Sequence, residues 1–178
     1  MELLRTFDTN IFFSINHLPH TWWSDMVGQM FSGFENAWIV WFCIGIILFV
    51  REERKDHWFI ISSGILATLT YTLSELLIKQ SIGRIRPDVL FGAIVVGTVP
   101  ISFSFPSTHA TLAIACAYLF SEKEPRWRWW LYVLATFVCL SRIYLGHHYP
   151  IDVIGGILIG ISIGYIAIII TSFFRKRR

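Results

Sequence analysis

Between Ile151 and Phe174 the chain carries a single charged residue, Asp152, and four basic residues, Arg175, Lys176, Arg177 and Arg178, follow at once. A helix through that run rises ~1.5 Å per residue and exceeds the ~30 Å hydrocarbon core of a bilayer. In lipid the backbone must satisfy its own hydrogen bonds, so a continuous apolar run of this kind can only be helix. Four further runs precede it, at about 36–50, 58–78, 107–120 and 129–144. The first and third fall short of the ~20 residues that a crossing needs, so their ends are expected to extend. Composition agrees: 54% of residues are hydrophobic and 15% charged, where a soluble domain carries ~25% charge. The expected architecture is a single all-α domain over 1–178, an integral membrane bundle of five to six transmembrane helices. Its core is expected at 34–174, with an N-terminal segment over 1–33.

That first segment sets Leu3, Leu4, Phe7, Ile11, Phe12 and Ile15 at roughly helical spacing, with Asp8, Asn10, Ser14 and Asn16 between them. The pattern predicts an amphipathic helix in the membrane interface, a turn over 17–20 and an aromatic anchor at Trp22 and Trp23. A partly inserted first span is the competing reading. No signal-peptide pattern opens the chain. Cys43, Cys116 and Cys139 fall inside apolar runs with no CxxC spacing, so they read as small membrane-buried residues. Residues 91–105 are apolar but broken by Gly92, Gly97 and Pro100, which suggests an outer-surface or re-entrant segment.

Positive charge orients the bundle. Ten of the 15 Lys and Arg lie in three places: Arg51, Arg54 and Lys55; Lys123, Arg126 and Arg128; and the tail from Arg175. Five spans bring these to one side, which the positive-inside rule makes cytoplasmic. Lys79, Arg84, Arg86 and Arg142 then sit on the side that should be poor in cations. A bound anion accounts for them better than topology does.

Three segments converge on that outer side: residues 79–87, 105–109 and 141–152. Lys79, Arg86 and Arg142 bring charge and forked donors that suit phosphate oxygens. Ser107 and Thr108 open a helix whose N–H groups and positive dipole end favour an anion. His148 and Asp152 are four residues apart with Pro150 between them, so a helix starting near Pro150 lets the carboxylate orient the imidazole. Paired with His109, that arrangement fits attack on phosphorus by one histidine and protonation of the departing oxygen by the other. Glu75, one turn before Lys79, is expected to neutralise it rather than to take part in chemistry. His147 is misplaced for a partnership with Asp152, and His57 reads as a cytoplasmic interfacial residue. No cluster has metal-ligand character, so no metal or other cofactor is expected. Each segment alone reads more simply as headgroup contact, an N-cap or a capping loop; it is their conjunction that points to a site.

The order Lys-x6-Arg-Pro, Pro-Ser-x-His, Ser-Arg-x5-His-x3-Asp resembles the type 2 phosphatidic acid phosphatase superfamily, metal-independent lipid phosphatases that share a site with vanadium haloperoxidases. The likeness covers about residues 36–174. It implies hydrolysis of a lipid phosphate through a phosphohistidine, with His148 as nucleophile, Asp152 its orienting partner and His109 the general acid. Lys79, Arg86, Ser107, Thr108 and Arg142 would bind the phosphate. Thr108 departs from the family's usual glycine: its Cβ narrows the approach to the backbone, while its hydroxyl adds a donor. In a chain this small the resemblance implies a bacterial inner-membrane enzyme facing the periplasm. Undecaprenyl diphosphate, phosphatidylglycerol phosphate, phosphatidic acid and lipid A 1-phosphate remain open as substrates. The expected partners are that lipid and the bilayer, not nucleic acid, and nothing in the chain bears on oligomeric state. An anionic-lipid transporter or flippase and a structural membrane subunit are the rival classes. The first predicts midplane helix breaks or internal repeats, which are absent from the sequence, and the second leaves the histidines unexplained.

Overall fold

The computed structural model describes residues 2–32, 37–51, 61, 64–65, 68–69, 72, 74–98 and 101–175. Residues 52–57, about half of the run at 58–78 and the tail after 175, all assigned above, lie outside these. Helices α1 (Glu2–Asn16), α2 (Trp22–Ser32) and α3 (Ala37–Arg51) open the chain. A π-helical turn at Ser74–Ile78 leads into α4 (Lys79–Ile82), and α5 (Thr108–Lys123), α6 (Arg128–Tyr144) and α7 (Pro150–Arg175) follow. The helices expected at 36–50, 107–120, 129–144 and 151–174 therefore coincide with α3, α5, α6 and α7 to within a few residues.

Among the described residues only α7 is long and apolar enough to cross a membrane, over Pro150–Ile170. Helix α5 has 16 residues, about 24 Å of rise against a ~30 Å core. Helix α6, with 17, carries Arg128 and Arg142 at its ends.

Helix α5 is the hub, packed on one side by α7 and on the other by α6. Its contact with α7 is close because α7 presents glycine at every fourth position. A Cβ at Gly156 would stand 2.5 Å from the Ser107 carbonyl oxygen, one at Gly160 2.6 Å from that of Thr111, and one at Gly164 2.8 Å from the Tyr118 ring. Small residues let two backbones approach where no hydrophobic driving force separates helix from lipid. The entry of α5 is thereby pressed against the entry of α7.

Helix α1 is amphipathic, as its spacing predicts, but two of its polar positions, Asp8 and Asn16, point inward beside Phe12, while Asn10 and Ser14 stay exposed. Asp8 is 1% and Asn16 0% exposed, while Leu3 is 88% exposed. Asn16 donates to the carbonyls of Ile94 (2.8 Å) and Tyr144 (2.9 Å) and accepts from the Ile94 amide at 2.8 Å. Tyr144 stacks on His20 and bonds Ser24 at the start of α2. The N-terminal segment thus docks on the loops that carry the site.

Candidate active site

Helix α6 ends in a tight wrap. The amides of His147 and His148 both donate to the Arg142 carbonyl, at 3.0 and 3.1 Å. Gly146 makes the reversal with φ 77°, and a Cβ there would lie 2.3 Å from the Ile94 carbonyl oxygen, so a side chain is excluded on both counts. Helix α7 begins four residues after Gly146, with Pro150 in its first turn. Asp152 reaches back to accept from the Tyr149 amide at 2.9 Å, the acidic half of a capping box. The Ser107 amide in turn donates to the Asp152 carbonyl at 2.9 Å, tying the entry of α5 to this turn.

His148 is 1% exposed and Asp152 is fully buried. Arg86 Nη1 lies 2.9 Å from His148 Nε2. A guanidinium only donates, so Nε2 is the acceptor and the ring proton sits on Nδ1. That proton faces Asp152 Oδ2 at 3.7 Å, beyond hydrogen-bond reach. The gap is filled by Ser104, whose hydroxyl donates to Asp152 Oδ2 at 2.5 Å and lies 3.4 Å from His148 Nδ1. Having given its proton to the carboxylate, Ser104 has only lone pairs to offer the imidazole N–H. Burial, and then the charges of Arg86, Arg142, Lys79 and His109, push His148 well below the usual histidine range. The ring is therefore neutral, with its lone pair on the side where the cations lie.

Those cations share partners. Arg86 donates to the carbonyls of Ser102 (2.7 Å), His147 (2.9 Å) and Phe103 (3.2 Å), and to the Ser102 hydroxyl at 3.2 Å. Lys79, 2% exposed, donates to the same hydroxyl at 3.2 Å and to Glu75 at 2.5 Å. These two contacts use two of the three ammonium donors. Arg142 is 1% exposed and near enough to His147 and His148 to depress both. Thr108 donates its hydroxyl to Glu75 at 2.6 Å, so the proton that would serve a phosphate is spent on a carboxylate. Among the described residues Ser107 Oγ, His109 Nε2 and His147 Nδ1 are buried here without a hydrogen-bond partner.

All eight residues singled out in the sequence thus belong to one contiguous network or lie within charge range of it. A family model described as the PAP2 superfamily matches residues 57–176 of the chain. The chain belongs to the PAP2 superfamily. Curated PAP2-like relatives include an undecaprenyl-diphosphatase of Sulfolobus acidocaldarius, 28% identical across 97% of this chain and 78% of that one. A decaprenylphosphoryl-5-phosphoribose phosphatase of Mycobacterium tuberculosis is 35% identical across 73% of this chain and 69% of its own. Among solved structures, LpxE of Aquifex aeolicus superposes with a TM-score of 0.75 at 28% identity, covering 90% of this chain and 93% of that one. A PAP2-type phosphatidylglycerolphosphate phosphatase of Bacillus subtilis has the same TM-score at 21% identity, a likeness of fold.

Four side chains of this PAP2 site were not singled out from the sequence: Ser102, Ser104, Arg84 and Asp8. Arg84 was counted among the misplaced outer cations without a role. It donates to Asp152 Oδ1 at 2.7 Å and pairs with Asp8 on α1. The serines carry no signal of their own, because a hydroxyl costs little anywhere in a chain.

Proposed function

We propose that the chain removes a phosphate from a membrane lipid phosphate or diphosphate by way of a phosphohistidine on His148. The observation that carries this reading is the orientation of the ring: Nε2 faces Arg86 as a lone pair, while Nδ1–H faces Ser104 and Asp152. In the first step Nε2 bonds to phosphorus as the P–O bond to the lipid breaks, and His109 gives its proton to the departing oxygen. Lys79, Arg86, Arg142, Ser107 and the amides opening α5 stabilise the charge on the equatorial oxygens. In the second step His109, now neutral, takes a proton from water. The hydroxide bonds to phosphorus as the P–N bond breaks, releasing inorganic phosphate and restoring His148. Every proton is supplied and returned by a side chain, so no metal is called on.

The family and the relatives make the enzyme class a lipid phosphatase; the lipid is the open part. Undecaprenyl diphosphate, phosphatidylglycerol phosphate, phosphatidic acid and lipid A 1-phosphate all offer a phosphate at headgroup level. Arg51 lies 5.4 Å over the Trp127 ring, so the end of α3 meets the junction that holds Lys123, Arg126 and Arg128. Arg51 thus shares one end with the second basic cluster, which supports a cytoplasmic end there and a site opening outward in a bundle of five to six crossings of a bacterial inner membrane. The test is phosphate release from a panel of these lipids in detergent with chelator present. Release by the wild type and its loss in His148→Ala is the expected result. Binding without release, or activity abolished by the chelator, overturns the reading.

A further inference from the structure

Helix α1 lies outside the residues that the family model matches, yet one of its side chains enters the site. Asp8 accepts from Arg84 Nη2 through Oδ2 and from the Ile151 amide through Oδ1 at 2.8 Å. Arg84 gives its other terminal nitrogen, Nη1, to Asp152 Oδ1 at 2.7 Å, and its guanidinium sits 4.5 Å over the Tyr149 ring. Two fully buried carboxylates, Asp8 and Asp152, therefore share one guanidinium. A buried acid is costly wherever it stands, and a helix that merely anchors to lipid has no use for one. The exposed Leu3, Leu4 and Phe7 already provide an anchor.

We propose that Asp8 is a positioning residue for the His148–Asp152 pair, so that α1 is part of the catalytic apparatus; this rests on the phosphatase reading above. Asp8 holds the Arg84 fork from behind and pins the first turn of α7. Without it the guanidinium is free to rotate onto Asp152 alone, and the carboxylate no longer meets Ser104 and His148 at a fixed angle. Asp8 also contributes negative charge to a crowded positive surrounding. His148 is faced by Arg86 from its loop, Arg142 from α6, Lys79 from α4, His109 from α5 and Asp152 from α7. Removing the Asp8 charge makes the imidazole harder to protonate, so the acid limb of kcat/KM moves to lower pH even as kcat falls.

The experiment uses the full chain in detergent micelles with two probes, short-chain phosphatidic acid and farnesyl diphosphate. It compares Asp8→Asn, Asp8→Glu and, as a control on the exposed side of α1, Thr6→Ala. Asp8→Asn is expected to lose about tenfold or more in kcat with KM within about threefold, and to shift the acid limb down by about half a pH unit. Asp8→Glu, which keeps the charge, recovers the limb and part of kcat, and Thr6→Ala behaves as wild type. A purely structural role lowers the unfolding midpoint and leaves the limb in place, which overturns the proposal, as does a folded Asp8→Asn with wild-type kcat. If Asp8→Asn does not fold, Arg84→Lys probes the same link, since an ammonium lacks the rigid planar fork that holds the two carboxylates at a fixed angle; unchanged kcat in that variant overturns the proposal equally. A wild type that hydrolyses neither probe nor any lipid of the panel overturns the phosphatase reading itself, whereas an active wild type beside unaffected variants overturns only the role of Asp8.

Discussion

Ser104 stands between His148 and Asp152, its hydroxyl 2.5 Å from the carboxylate and 3.4 Å from the ring nitrogen. The histidine and the aspartate are 3.7 Å apart, so part of the orienting force passes through a serine. A hydroxyl in this place donates to the acid and accepts from the imidazole, fixing the tautomer that leaves Nε2 unprotonated. Ser104→Ala is expected to lower kcat about tenfold, ~1.4 kcal/mol in the barrier, with little change in KM. Asp152→Asn should cost more, because the amide can turn its NH2 toward Ser104 and disturb the tautomer. Steady-state kinetics on the two variants check the order. A Ser104→Ala enzyme with wild-type kcat would show that the pair closes directly once substrate is bound.

The two histidines differ in what a good leaving group can replace. In the proposed mechanism His148 forms the bond to phosphorus, a role no leaving group can take over. The part proposed for His109 is to protonate the departing oxygen, which a phenolate of low basicity does not require. With a lipid phosphate both His148→Ala and His109→Ala are expected to lose most of the rate. With p-nitrophenyl phosphate, His109→Ala should recover about tenfold or more relative to its loss on the lipid, and His148→Ala should not. Equal losses on both substrates would refute the division of labour.

The parts of this site legible in the sequence are those whose chemistry is expensive in an apolar chain. Lys79, Arg86, Arg142, His148 and Asp152 stand out because an ionisable group at the end of a membrane helix needs a reason. Ser104 and Ser102 carry no such cost, and they sit in the broken segment 91–105, whose spacing predicts no regular element. The Arg84 partner Asp8 is 76 positions away, and pairing at that separation is a fact of packing. Helix α1 shows the same limit: its periodicity announces two faces without saying which is inside. In water the apolar face turns inward, but lipid accepts Leu3 and Phe7 as readily as a protein core does. The buried face is then chosen by hydrogen bonds such as those of Asn16 to Ile94 and Tyr144. The helix bounds were legible because long apolar runs need few other cues, whereas the number of membrane crossings depends on lengths that α5 and α6 only approach.

Glu75 is an anion beside the cations of the candidate site. Its Oε1 accepts from both Lys79 and Thr108, so in the proposed mechanism it competes with the phosphate for the buried ammonium. Glu75→Gln keeps an acceptor for both donors while removing the competing charge. Inorganic phosphate should then inhibit with a constant about three- to tenfold lower. Competitive inhibition measured at one pH decides it, and a constant that rises instead would assign Glu75 to holding Lys79 in position.

Burial of neutral histidines also sets how the fold responds to acid. His147 Nε2 donates to the Val96 carbonyl at 2.9 Å, and Nδ1 is buried with no hydrogen-bond partner among the described residues. Burial first, then the charge of Arg142, push its pKa down to about 3, and His148 is depressed in the same direction. An unfolded chain protonates both near the ordinary value of ~6.5. Between that value and the folded one the unfolded state binds more protons, so stability rises with pH and is lost on acidification. For His147 the window runs from ~6.5 down to about 3. Within it each such histidine contributes a slope of up to ~1.4 kcal/mol per pH unit. His147→Gln keeps a donor for the Val96 carbonyl but takes up no proton, so its unfolding free energy should fall less steeply between pH ~6.5 and ~5, above the range where most carboxylates titrate. Denaturation of the two proteins across that interval checks the slope, and parallel curves would mean that the His147 ring reaches solvent and charges without unfolding.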